Sequence, residues 1–266
     1  MTSGPVTFDA RAVARLETIY ASPAISSQRV RTLAALAVRV GERGVDVGCG
    51  PAFLTVELAR AIGAGGRVVA VDSSPDMLAA AAARLAREGM ADRVEVRAGD
   101  ATRLELASGS QDFVVGVQVY LYVAEIVTAL AEAARVLRPG GRLAVVDTDW
   151  DSCVWLTSDR DRHRRVMEAR LHHFANPHLP PRLPGLLRDA GLRLTHAEAI
   201  PLLELQYEHG SFSGDLIGVT ADVAARHGMP RDEADAWAAD LRGRTGAGEY
   251  FFSVNRYLFV ATKPAF

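Results

Sequence analysis

The stretch Val45-Asp-Val-Gly-Cys-Gly-Pro-Ala52, followed by Val68-Val-Ala-Val-Asp72, decides how this chain is read. An apolar run meets two glycines separated by one residue, and a second apolar run ends in a carboxylate. The pattern reads as strand, tight turn and helix, then a second strand closed by an acid. Gly48 and Gly50 lack a Cβ, so the backbone can turn sharply there and a ligand can approach the helix N-terminus. Asp72 falls at the carboxyl end of the neighbouring strand, where an acid can accept both hydroxyl protons of a ribose. Turn and acid together describe a site for a nucleoside-type cofactor.

The same alternation runs outward in both directions. Asp9 to Tyr20 and Gln28 to Val40 carry apolar residues at helical spacing, with Ala21-Ser-Pro23 between them. After the glycine turn, helix 52–62 leads to strand 67–71, helix 75–88, strand 93–97 and a short segment near 101–107. Strand 112–118, helix 123–137 and strand 142–147 continue the series, with Gly63-Ala-Gly-Gly66 and Arg138-Pro-Gly-Gly141 as helix stops. Short apolar strands alternating with helices predict an α/β fold, a doubly wound Rossmann-like sheet with helices on both faces.

Beyond Asp147 the rhythm breaks. One helical stretch lies near 159–174, a helix covers 183–190, and strand 192–205 is interrupted by Pro201. Residues 210–243 are helical in pattern, and the aromatic and β-branched run Tyr250 to Thr262 predicts a last strand, antiparallel to the rest. Residues 1–266 thus read as one domain: N-terminal helices over the cofactor at 1–40, a cofactor-binding core at 41–147, and an inserted helical cap over the substrate pocket at 148–181 and 206–249.

Composition narrows the partners. A net charge of -2 and a pI near 6.4 offer no electrostatic attraction for nucleic acid or an anionic membrane, and no long basic run occurs. The N-terminus lacks a signal pattern, and the most apolar window, Phe113 to Ala131, is broken by Gln118 and Glu125, so a soluble, cytoplasmic protein is expected. Cys49 and Cys153 give neither a disulfide framework nor metal-ligand spacing. Monomer and homodimer are both compatible with the sequence.

Right-handed crossovers return each strand end to one edge of the sheet, so Asp72 and Asp100 converge on a crevice beside the glycine turn. Ser73 to Leu78 supplies a helix N-terminus, and Met77 either covers a face of a purine or packs in the core. Asp100 and the Ala101 N–H can meet the purine edge as acceptor and donor. Asp46 either holds the glycine loop through its backbone or touches the ligand.

Five segments now resemble the class I S-adenosylmethionine-dependent methyltransferases, in the small-molecule branch similar to the ubiquinone and menaquinone methyltransferases. They are Val45-Asp-Val-Gly-Cys-Gly-Pro, Val71-Asp-Ser-Ser-Pro-Asp-Met-Leu, Ala98-Gly-Asp-Ala, Asp112-Phe-Val-Val-Gly-Val-Gln118 and Leu137-Arg-Pro-Gly-Gly-Arg-Leu. The resemblance implies S-adenosyl-L-methionine as cofactor, its methionine part facing the glycine turn, its ribose on Asp72 and its adenine at Asp100. It also makes Tyr20 and Gln28 candidates for the methionine end and counts Gln118 among the cofactor residues. Where the family usually has a third glycine this chain has Ala52, and a slightly crowded helix start is the expected consequence.

Methyl transfer to oxygen, nitrogen or carbon of a largely apolar small molecule is the implied reaction. Asp147, Asp149, His178 and Tyr120 are the candidates for removing a proton from the acceptor. Asp147, Asp149 and Asp151 alternate, so an extended chain would put them on one face. Tyr120 and Tyr122 follow the fourth strand, and one of them should line the pocket. His163, His172 and His173 read as surface or lid residues, because no metal-ligand motif joins them and no metal is expected. Arg256 in an apolar strand calls for an acidic partner or a bound anion. A dinucleotide-dependent oxidoreductase shares the turn and the acid, but Phe53 stands where GxGxxG needs a small residue. A protein that keeps the cofactor but catalyses rearrangement or elimination is the third reading.

Overall fold

The computed structural model describes residues 10–265. Asp9, the expected helix start, and Met1 to Pro5 lie outside the described residues. The chain runs α1 (Ala10–Ala21), α2 (Pro23–Leu36), β1 (Arg43–Val47), α3 (Phe53–Ile62), β2 (Arg67–Asp72), α4 (Pro75–Arg87), β3 (Val94–Ala98) and β4 (Gln111–Val117). It continues with α5 (Ile126–Val136), β5 (Leu137–Trp155), α6 (Arg160–Leu171), α7 (Leu183–Asp189), β6 (Arg193–Glu204), α8 (Phe212–Arg226), α9 (Arg231–Gly243) and β7 (Phe252–Thr262).

The seven strands form one sheet in the order β3-β2-β1-β4-β5-β7-β6. The neighbours from β3 to β5 pair in parallel, and β7 alone is reversed, antiparallel to both β5 and β6. Residue alternation divides the core between the two faces. Val45, Val69, Val71, Val114, Leu143 and Val145 pack with α5, α7 and α8. Val68, Ala70, Phe113, Val115, Ala144 and Val146 pack with α3 and α4 and with Leu36 of α2. Helices on both faces explain why these strands read as continuous apolar runs.

Three elements differ from the sequence reading. α2 starts at Pro23, five residues before Gln28, because proline at the first helical position is pre-set for the helix and leaves no amide unsatisfied. Pro201 does not interrupt β6: the strand lies at the sheet edge, where a missing amide proton costs no ladder bond. β5 runs past Asp147 to Trp155 through a bulge between Asp149 and Val154, where the Ser152 hydroxyl accepts the Asn255 amide at 2.9 Å.

The segments after β5 build a second layer. α6, α8 and α9 pack on one another, with Trp155, Trp237 and Phe252 joined by ring contacts of 4.8–5.3 Å. The Trp237 indole donates to His163 Nδ1 at 3.1 Å, so His163 is a packing residue of this layer. Among the described residues no helix is long and apolar enough to cross a membrane.

Candidate functional site

β1 lies between β2 and β4, so the crossovers on its two sides leave in opposite directions and open a crevice at the strand ends. A cavity of about 540 Å³ occupies it. Residues at the ends of β1, β2, β3 and β4 form its floor, and Leu16 and Tyr20 of α1 close over one side. Tyr122, Val123, Glu125 and His173 form the opposite wall.

The glycine turn is built for close approach. Gly48 and Gly50 have φ of 64° and 51°, a region that penalises any Cβ, and a Cβ on Gly48 would stand 2.3 Å from Val119 Cγ2. The Cys49 amide donates to the Val71 carbonyl at 3.0 Å, joining the turn to β2. Asp72 completes the link: Oδ2 accepts the Gly50 amide at 2.8 Å and Oδ1 the Ser74 amide at 2.9 Å. Each oxygen keeps a lone pair for one ribose hydroxyl. Asp100 accepts both the Thr102 amide and hydroxyl on Oδ1, at 2.7 and 2.6 Å, and Oδ2 carries no hydrogen bond. Met77 is both 2% exposed and on the cavity wall, so packing and ligand contact coincide in one side chain.

Two residues of the site hold backbone conformations that glycine normally takes. Ala52 has φ 61°, a left-handed backbone, and is fully buried at the start of α3. Gln118, on the wall, has φ 58° and is fixed by its amide bond to Val146 O at 2.7 Å and by the Thr148 hydroxyl on Oε1 at 2.7 Å. Such strain persists only where surrounding bonds over-determine it, and it concentrates at binding sites.

Of the expected cofactor residues, Tyr20, Gly48, Gly50, Asp72, Ser73, Met77, Asp100, Ala101 and Gln118 stand on the cavity wall. Asp46 and Gln28 stand behind it. Asp46 is 2% exposed and accepts the Thr55 hydroxyl at 2.6 Å. Burial pushes its carboxyl up to about 7; the Thr55 bond opposes this and the Asp72 charge adds to it. Gln28 is buried with Oε1 on the Arg256 guanidinium, and its Nε2 has no partner. The bond from Arg256 goes to this amide, and Arg256 also lies 5.0 Å from the centre of the Phe212 ring.

The four candidates for proton removal lie off the wall of this cavity. Asp147 is wholly buried, and burial pushes its carboxyl well above the usual range. Arg256 and the amides of residues 119–121 pull the other way, but none reaches hydrogen-bond geometry. Tyr120 is buried against Gly116, and its phenol is pushed up by burial. The bulge in β5 grades the acids: Asp147 is buried, Asp149 half-buried and Asp151 exposed. His178 pairs with Asp151 at 2.9 Å, and with Asp149 they gather ligand atoms within 4.8 Å at an open rim.

Tyr122 takes the wall position, its phenol pushed up to about 12 chiefly by burial. His173, read as a surface or lid residue, joins it there with ring centres 5.7 Å apart. Burial, then Arg170, Arg226 and His227, push His173 down to about 4, so its ring is neutral at neutral pH. Thr102 and Glu125 also line the cavity, and both escaped the sequence reading because they lie in irregular backbone.

The Arg84 guanidinium covers the Phe53 ring at 3.4 Å and its Nε donates to the Pro51 carbonyl at 2.7 Å, clamping the turn from outside. Phe53 thus fills the place that a dinucleotide turn reserves for a small residue.

Residues 45–141 match the methyltransferase domain family. Over 257 residues the chain is 33% identical to an uncharacterized 37.1 kDa protein in transposon TN4556 of Streptomyces fradiae, a match covering 94% of this chain and 70% of that protein. It is 42% identical over 119 residues to the demethylmenaquinone methyltransferase of Mycolicibacterium paratuberculosis, covering 45% of this chain and 47% of that one. The chain therefore spans about half the length of that relative. The crystal structure of a SAM-dependent methyltransferase from Aquifex aeolicus shares the fold with a TM-score of 0.56 at 18% identity, covering 94% of this chain and 98% of that one.

Proposed function

The chain belongs to the class I S-adenosylmethionine-dependent methyltransferases, with S-adenosylmethionine as its cofactor, and we propose that it methylates oxygen, nitrogen or carbon of a largely apolar small molecule. The observation that carries this reading is the convergence of Gly48, Gly50, Asp72, Met77, Asp100 and Gln118 on one cavity wall. Two carboxylates with free lone pairs and a backbone turn closed to any Cβ fit an adenosine that carries no phosphate.

When bound, the cofactor supplies both the methyl group and its own leaving group. The chain's residues then hold two molecules at near-attack distance, which is worth up to roughly 7–11 kcal/mol in favourable intramolecular cases. Asp72 orients the ribose, Asp100 and the Ala101 amide meet the adenine edge, and Tyr20 covers the methionine end. Tyr122, Val123 and His173 shape the acceptor side and exclude water. Neutral His173 can accept a hydrogen bond from a hydroxyl or amine of the acceptor.

Calorimetry of the purified protein with S-adenosylhomocysteine and with NAD tests the reading. Micromolar binding of the first and none of the second is expected. Heat with NAD alone would overturn it.

A further inference from the structure

The Tyr122–His173 wall hides a cation without a counter-charge. Arg170 on α6 is 3% exposed and forms no ion pair with a carboxylate among the described residues. Its Nη1 donates to the Thr220 hydroxyl at 2.9 Å and its Nε has no partner. Its Cζ lies 4.0 Å from the Trp150 ring centre and 5.5 Å from that of Phe174. A guanidinium carries five N–H donors, so one hydrogen bond and two ring faces leave most of its capacity unused. An unpaired buried charge is costly unless something else compensates it.

The two ring faces compensate part of that cost, and no carboxylate among the described residues does. Tyr122 packs on Phe174 at 5.3 Å and on His173 at 5.7 Å; Tyr122 and His173 line the cavity and Arg170 does not. Burial lowers Arg170 to about 10, which still leaves it charged at neutral pH, whereas His173, lowered to about 4, is neutral, and burial raises the Asp147 carboxyl well above its usual range. The acids on the wall, Asp72 and Asp100, stand on the adenosine side, and Glu125 is exposed at the start of α5. The cavity wall itself is thus acidic, and the Arg170 charge stands behind its Tyr122–His173 part. Tyr122, which lines the cavity in front of the guanidinium, is 36% exposed.

We propose that the acceptor carries an oxyanion, a carboxylate or a phosphate, which passes the Tyr122 ring and is received by the Arg170 guanidinium between Trp150 and Phe174. The planar fork of an arginine matches two oxygens of either group. This deepens the methyltransferase reading and rests on it. The apolar wall then holds the body of the acceptor, and the anion fixes its direction toward the methyl group.

The test is calorimetry on the full chain saturated with S-adenosylhomocysteine, using 2-naphthoate, 2-naphthyl phosphate and the uncharged 2-naphthamide as probes. At least one anion should bind ten or more times tighter than the amide, on the order of one good charge-assisted bond, and the stronger of the two separates carboxylate from phosphate. Arg170→Gln should reduce that anion to the level of the amide with S-adenosylhomocysteine affinity unchanged, and Arg170→Lys should keep part of the preference. Equal binding of anions and amide to the unaltered protein overturns the proposal, whether or not the variants fold. A preference that survives in folded Arg170→Gln overturns it as well. Failure of S-adenosylhomocysteine to bind the unaltered protein would instead sink the methyltransferase reading, and this inference with it.

Discussion

The Oδ2 atom of Asp72 accepts the backbone N–H of Gly50 at 2.8 Å, so the acid that ends β2 holds the turn that follows β1. One carboxylate therefore shapes the cradle and keeps free the lone pairs that the proposed ribose contact would use. Binding and loop geometry are coupled at this residue.

Asp72→Asn tests the coupling. An amide turns one acceptor into a donor, which must face either a backbone N–H or a ribose hydroxyl. Hydrogen bonds to charged groups contribute about 1.5–3 kcal/mol, so affinity for S-adenosylhomocysteine should fall roughly 10–100-fold by calorimetry. Affinity within twofold of the parent would contradict the role.

Ala52→Gly should stabilise the protein. The φ of 61° at Ala52 is unfavourable for any residue with a Cβ. Relief of about 1 kcal/mol raises the thermal midpoint of a chain this long by roughly 2–4 °C. A lower midpoint by calorimetry would show that the lost methyl packing outweighs the strain.

Asp46 sets a pH dependence of stability. Its folded-state pKa is about 7, above the ordinary carboxylate value, so the native state holds this proton more tightly than the unfolded chain. Its contribution is most favourable below the unfolded pKa near 4 and is lost as pH rises to about 7, at roughly 1.4 kcal/mol per pH unit across that window. Asp46→Asn should flatten that limb in urea titrations run between pH 4.5 and 7.5. An unchanged slope would assign the proton elsewhere.

Arg84→Met removes both the cover on Phe53 and the bond to the Pro51 carbonyl. A loss of about 1–2 kcal/mol in urea unfolding is expected, together with weaker S-adenosylhomocysteine binding, because the turn loses its outer clamp. A variant that loses stability alone would make Arg84 a packing residue only.

Much of this molecule is written locally in the chain. The order of strands and helices from β1 to β5, the glycine turn, and the acids at 72 and 100 all follow from short apolar runs closed by turn residues, because each crossover must return to the same edge of the sheet. Pro201 misled for a reason invisible in one dimension: whether a proline breaks a strand depends on whether that strand lies at an edge. The left-handed backbone of Ala52 is likewise invisible in the residue type alone.

The acceptor side was decided elsewhere. Tyr120 and Tyr122 are chemically alike in the sequence, yet a single turn buries the first against Gly116 and gives the second to the cavity. Past the end of α6 at Leu171, His173 joins the cavity wall, whereas His178 pairs with Asp151 away from it. The sequence alone determined the proposed cofactor half of the site, since its residues sit at strand ends whose spacing is local. Only the tertiary structure decided which further side chains line the cavity, because that choice depends on strand register, the bulge in β5 and the packing of three cap helices distant in the chain.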